Sequence, residues 1–245
     1  MIFHDYLSRA MVDYLLGTVS NYQRRVPNNL SRLAQTLRPG DVLLVEGNAR
    51  ISQIIMYMTQ SSWSHAAMYV GDALLRWGGS EADLALERFG PEAAQLLIES
   101  DLRTGVAVIP LSRYLGQNLR ICRPTALRPD SLDRVLVEMF RHLGVHYDHR
   151  NTLDLARYLI PFHLVPRWFR RRSLYLGSSS SREIICSALI AKAFYRVGIT
   201  IQPPLQPASG PSRGDALQVR HPSYIMPRDF DLSANFQILK PPTGS

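Results

Sequence analysis

The sequence predicts an α+β domain in which an antiparallel sheet packs against helices. Three observations carry that expectation. Short apolar runs of β character cluster in the middle of the chain, and helical periodicity flanks them on both sides. Strands and helices also fail to alternate at the regular length that a parallel sheet with crossover helices requires. The 245 residues suit one domain of generous size, or one domain plus an appendage. At 46% hydrophobic and 20% charged they supply a core, which excludes wholesale disorder.

The elements follow in order. Over residues 3–37, Phe3, Leu7, Met11, Tyr14 and Leu15 recur at helical spacing, Pro27 interrupts, and Leu30 to Leu37 forms a second short helix. This helical segment, residues 1–36, has two open placements: packed on the core or lying on a membrane surface. The remainder, residues 37–245, forms the main domain. Pro39-Gly40-Asp41 makes a turn into the buried strand Val42 to Val45. Ile51 to Met58 is helical, stopped by Ser61-Ser62. Strand-like runs come next: Ala66 to Val70, Ala73 to Trp77, Leu96 to Ile98, Val106 to Ile109 and Leu119 to Cys122. After Pro129, residues Leu132, Val135, Leu136, Met139, Phe140 and Leu143 share one helix face, with Gly144 as its cap. A helical patch covers Leu153 to Leu159, and Ser178 to Ser181 mark a loop. The most regular helix is Ile184 to Val197, closed by Gly198, and Phe236 to Leu239 forms a last strand.

Composition excludes several classes. Two cysteines make no disulfide framework, and no CxxC pair suggests a structural zinc. No apolar run approaches the roughly 18 residues that a membrane-spanning helix needs. The first residues lack the order of a secretory signal, so the expected compartment is the cytoplasm. The formal charge is +8, and all but two of the 28 basic residues are arginine. Arg167, Arg170, Arg171 and Arg172, with Trp168 and Phe169 among them, form the densest cluster. Such a patch suits peripheral contact with an anionic membrane surface, and equally a solvated loop or helix end. No zinc-finger spacing, basic zipper or RNP-like strand is present, so no nucleic-acid partner is expected.

Cys186 stands in the first turn of the predicted helix Ile184 to Val197. Unpaired backbone N–H groups and the positive end of the helix dipole there favour thiolate over thiol, lowering a pKa ordinarily about 8.5. That is one setting of an activated nucleophile; a buried cysteine acting as a small hydrophobe is the alternative. Among seven histidines, His65 opens an apolar strand, where its ring can enter a cleft while its neighbours fill the core. A core histidine bonded to a backbone carbonyl is the competing reading. His142, His146 and His149 straddle a predicted helix end and no cysteine joins them, so a metal site there is disfavoured. Glu99, at the end of the strand Leu96 to Ile98, is placed to orient an imidazole, unless it is an ordinary exposed glutamate. Cys122, mid-strand, reads as core.

These residues lie in a set of short motifs. Leu37-Arg38-Pro39-Gly40-Asp41-Val42-Leu43-Leu44 is followed by Ser61-Ser62-Trp63-Ser64-His65-Ala66-Ala67-Met68-Tyr69-Val70-Gly71-Asp72. Further on come Ile98-Glu99-Ser100, Gly105-Val106, Pro110-Leu111, Gly144-Val145-His146-Tyr147-Asp148, Ile185-Cys186-Ser187-Ala188-Leu189 and Pro227-Arg228-Asp229-Phe230-Asp231-Leu232-Ser233. In this order they resemble the circularly permuted NlpC/P60 hydrolases, and more closely the YiiX/YaeF-like permuted papain-like group. The likeness runs roughly from Leu37 to Lys240. Ile185 and Ala188 depart from the residues common in the group around its cysteine.

The resemblance implies a papain-like core with Cys186 as nucleophile at a helix N-terminus, His65 as general base and Glu99 as the residue orienting it. It implies Tyr147, Ser64 and Ser187 as cleft or substrate-binding positions, and it requires no metal or organic cofactor. The expected reaction is cleavage of an amide, or an ester, in a cell-wall-type peptide or a lipid acyl group. The alternatives are a catalytically inactive binding module, or an anionic-lipid-binding protein, on the same fold.

Overall fold

The computed structural model describes residues 13–25, 27–101, 104–145, 186–202 and 221–242. Its elements are α1 (Leu30–Thr36), β1 (Val42–Glu46), α2 (Arg50–Thr59), β2 (His65–Gly71), α3 (Ala73–Trp77), α4 (Ser80–Phe89), β3 (Leu96–Asp101) and β4 (Gly105–Pro110). There follow β5 (Asn118–Pro124), α5 (Pro129–Phe140), α6 (Cys186–Tyr195), α7 (Pro227–Leu232) and β6 (Phe236–Leu239). The six strands form one sheet in the order β4-β3-β2-β1-β5-β6, and every neighbouring pair is antiparallel. The expected α+β architecture is therefore present.

β1 is buried on both faces, which is why it reads as an unbroken apolar run rather than an alternation. Val42 and Leu44 face one side, together with Ala66, Met68 and Val70 of β2, Leu96 and Ile98 of β3, and the apolar faces of α5 and α6. Leu43 and Val45 face the other, with Ala67, Tyr69, Leu97, Ile109, Leu33 of α1, and Leu111 and Tyr114 from the 3-10 turn Leu111–Tyr114 after β4. The sheet is thus sandwiched.

The turn into β1 rests on a buried ion pair. The Arg123 guanidinium on β5 donates to both carboxylate oxygens of Asp41, at 2.9 and 2.6 Å, and to the Thr36 carbonyl at 2.6 Å. The Arg38 amide also donates to Asp41. Gly40 takes φ +92°, a conformation that strains any side chain, while its N–H meets the Tyr69 carbonyl. The described segment ahead of β1 is tied to the sheet: Leu33 is fully buried, and Asn28 donates to the carbonyls of Leu115 and Gln117.

One expected strand is a helix. Ala73 to Trp77, read as β from its apolar residues, forms α3. Gly71, at φ +57° beside a bulge in β2, ends the strand and turns the chain out of the sheet. The helix-forming residues Ala73, Leu74 and Arg76 then wind one short helix, closed where the Gly78 N–H meets the Leu74 carbonyl. α4, with Glu81 and Asp83 in its first turn, was not anticipated. α2 ends at Gln60, in the left-handed region at φ +49°, rather than at the two serines after it.

Candidate active site

His65 is the first residue of β2, and three tethers fix that strand start. The Ser64 amide donates to the Val45 carbonyl. Its hydroxyl accepts from the Gly47 amide at 2.9 Å. The preceding Trp63 donates its indole N–H to Asp231 at 2.9 Å, and Asp231 also takes both contacts of the Arg120 guanidinium, at 2.7 and 2.9 Å. The Arg120 guanidinium lies over the Trp63 ring. The motif residues flanking the candidate histidine therefore position backbone.

β2 pairs with β3 only from Met68↔Ile98 to Gly71↔Leu96. At the His65 end the two strands are unpaired, which leaves room for side chains between them. There His65 Nε2 lies 2.9 Å from Glu99 Oε2. The Tyr114 hydroxyl donates to the same carboxylate oxygen. Glu99 is 3% exposed and lies on the face of β3 that carries Leu97, opposite α5 and α6.

α6 crosses the other face, and Cys186 is the first residue of its described length. The Cys186 sulfur is hydrogen-bonded to His65 and accepts from the backbone amides of Ala66 and Ser187. With Nε2 committed to Glu99, Nδ1 is the ring nitrogen left for the sulfur. The Ala66 amide lies beyond the β2–β3 ladder, so a thiolate takes a donor that the sheet leaves unused.

Electrostatics follow from this packing. Burial pushes the Cys186 thiol up, but the His65 charge and hydrogen bond, with the Ala66 and Ser187 amides, outweigh it and bring its pKa below the usual thiol value. Burial pushes His65 down, yet the facing Cys186 sulfur and Glu99 carboxylate raise it well above the ordinary imidazole value. For Glu99, burial is again overcome by His65, the Tyr114 hydroxyl and the Arg113 charge, and its pKa falls. The site favours a thiolate–imidazolium pair backed by a carboxylate. Such a pair can attack a carbonyl and protonate a leaving group.

The structure brings together three of the six expected site residues. Ser64 and Ser187 turn inward instead: Ser64 is held as above, and the Ser187 hydroxyl donates to the Ile225 carbonyl at 2.6 Å. Both are buried and anchor backbone. Tyr147 lies outside the described residues, as do Arg167, Trp168, Arg170, Arg171 and Arg172. Cys122 is fully buried in β5, where burial pushes its thiol far up. Tyr114 escaped the sequence reading. Its one signal is its place four residues after Pro110, and only the fold carries that turn back over Glu99. Among the described residues no three His, Cys, Asp or Glu side chains gather to hold a metal ion.

A cysteine on a helix, facing a histidine and a carboxylate on an antiparallel sheet, defines the papain-like class. The chain order, with histidine strand first and cysteine helix last, is the permuted one. Residues 36–205 match the family described as permuted papain-like amidase enzyme, YaeF/YiiX, C92 family, and the chain belongs to that family. Its activity is accordingly of the cysteine-hydrolase type. Among solved structures it is similar to one titled as the metalloprotein yiiX from Escherichia coli O157:H7. That likeness has 14% identity and a TM-score of 0.50, and covers 84% of this chain and 98% of that one, which bears on the fold. No curated protein matches the sequence.

Proposed function

We propose that the protein cleaves an amide bond through a thioester on Cys186, with His65 as acid and base and Glu99 orienting the imidazole. One observation carries the reading: a single imidazole held between the Glu99 carboxylate, at 2.9 Å, and the Cys186 sulfur. The thiolate attacks the carbonyl carbon, a C–S bond forms, and the carbonyl electron pair moves to oxygen. Backbone N–H groups at the start of α6, that of Cys186 foremost, are the donors for this oxyanion. As the tetrahedral centre collapses, the C–N bond breaks and imidazolium at His65 protonates the leaving nitrogen. Neutral His65 then takes a proton from water, which attacks the thioester. The acid leaves, and the thiolate–imidazolium pair is restored. An ester would follow the same steps with an oxygen leaving group.

For the substrate, a lipid acyl group is preferred over a cell-wall-type peptide. A cavity of about 380 Å³ lies between the end of α2 and the segment around α7, lined by Met58, Thr59, Gln60, Tyr224, Met226, Arg228 and Asp229. Met58, Tyr224 and Met226 are about half exposed there. These last two flank Ile225, whose carbonyl holds Ser187 next to the nucleophile. Exposed apolar side chains suit an acyl chain; the charges lining the cavity are of both signs, Arg228, whose guanidinium donates to the Thr59 carbonyl, and Asp229. Peripheral membrane contact through Arg167, Trp168, Arg170, Arg171 and Arg172 belongs with this reading. It is tested by liposome binding that weakens with salt.

The primary test is the pH dependence of iodoacetamide alkylation at Cys186, read by peptide mass spectrometry in wild type and His65→Ala. Cys186 reacts rapidly below neutral pH in wild type and loses that advantage in His65→Ala. Wild-type reactivity that only rises toward the ordinary thiol range refutes the nucleophile. The binding-module reading would then lead. Cys186→Ala separates the two in function, abolishing turnover while sparing the binding that a module would perform.

A further inference from the structure

We infer that Tyr114 is a positioning residue for the proposed reaction, the fourth member of a relay running Tyr114–Glu99–His65–Cys186. The inference rests on the catalytic reading above and extends it inward from the sulfur.

Glu99 is almost fully buried, and a carboxyl group taken out of water tends to keep its proton. A neutral Glu99 would offer His65 no charge. Two donors prevent this, and both meet Oε2: the His65 ring through Nε2 and the Tyr114 hydroxyl. Convergence on one oxygen couples the two contacts, because the carboxylate orientation that serves His65 also serves Tyr114.

Tyr114 can serve only as a donor here. Burial and the adjacent Glu99 charge push its hydroxyl well above the ordinary phenol value, so it holds its proton at every pH where the pair operates. Its ring is itself fixed among Leu97, Ile109 and Leu111. The ring centroid lies 6.1 Å from that of His65, tilted by 45°, so it walls the imidazole on the sheet face opposite Cys186. Among the described residues, the other charged groups acting on Glu99 and Tyr114 are His65 and Cys186 across the gap and Arg113 on the same turn. Arg113 adds charge but no hydrogen bond to Oε2 among the contacts of that atom.

The substitution Tyr114→Phe removes the hydroxyl and keeps the ring. With one donor lost, Glu99 protonates more readily and the imidazolium is held less firmly. The pH window of the pair then narrows from both sides: Cys186 activation moves to higher pH and loss of the His65 proton to lower pH. Roughly tenfold slower alkylation of Cys186 at mildly acid pH is expected, the size of one hydrogen bond to a charged group.

The deciding measurement is the pH profile of Cys186 alkylation in folded wild type and Tyr114→Phe, with a fluorinated tyrosine at position 114 as the second variant. The fluorinated ring keeps the shape and donates more strongly, so its window widens. If wild type shows the low-pH reactivity and neither variant moves either limb of the profile, the Tyr114 inference is overturned while the nucleophile stands. Should wild type itself lack that reactivity, the catalytic reading fails first. A purely structural tyrosine would lower the amount of reactive protein without shifting the limbs, and that outcome also overturns the inference.

Discussion

Replacing Glu99 with glutamine isolates what its charge does. Both native donors meet one oxygen, Oε2, so a glutamine carbonyl placed there accepts from His65 and Tyr114 alike, and the hydrogen-bond geometry survives. The loss is electrostatic. Two unit charges about 4 Å apart interact by about 4 kcal/mol at an effective dielectric of 20. The imidazole side chain is 22% exposed and the carboxylate 2%, so water screens one side of the contact. Halving for that screening leaves about 2 kcal/mol, roughly thirtyfold in the population of the thiolate–imidazolium pair. The sign is definite: His65 is raised in part by Glu99, so in Glu99→Gln it loses its proton at lower pH. The assay is the rate of Cys186 alkylation between mildly acid and neutral pH, with circular dichroism to confirm folding. A folded Glu99→Gln protein whose alkylation profile overlays the wild type would refute the reasoning, because the carboxylate would then be a spectator.

Asp41→Ala leaves the Arg123 guanidinium, four-fifths buried, without its carboxylate, and should cost about 3 kcal/mol, read as a lower urea midpoint at unchanged m. Phe194→Ala removes a fully buried ring packed edge-on against Phe236 at 5.3 Å, and should cost about 3–5 kcal/mol in the same assay. Cys122, buried in β5 with its thiol pushed far up, should resist iodoacetamide in the native protein and react only once urea unfolds it. Native labelling of Cys122 at a rate matching Cys186 would show that β5 opens, contrary to its place between β1 and β6.

Strands were legible where the run was short, apolar and bounded by turns: the central Val42–Glu46 and the partly buried edge strand Gly105–Pro110 both follow their sequence patterns closely. Ala73–Trp77 misled because four apolar residues and one arginine are too short a run to show a period. Its helical state is decided by the turn at Gly71 and by burial of Ala73 and Leu74. Ser64 and Ser187 flank the reactive pair in sequence, yet alternation on a strand and rotation on a helix point both hydroxyls at backbone.

By itself the sequence determined the chemistry available: a cysteine at a helix start, a histidine at a strand start, a carboxylate at the end of a later strand, and family motifs in permuted order. Those are local properties, set by neighbours within a turn or two. Only the tertiary structure decided that the three meet. His65 and Glu99 are 34 residues apart, and Cys186 lies far beyond both. Their contact depends on β2 parting from β3 just where α6 arrives on the opposite face. Tyr114 could be found in no other way, since its hydroxyl owes its partner to the register of β3 with β4 and to the turn that follows. Register and helix placement are non-local, and a buried carboxylate keeps its charge only through donors that such packing delivers.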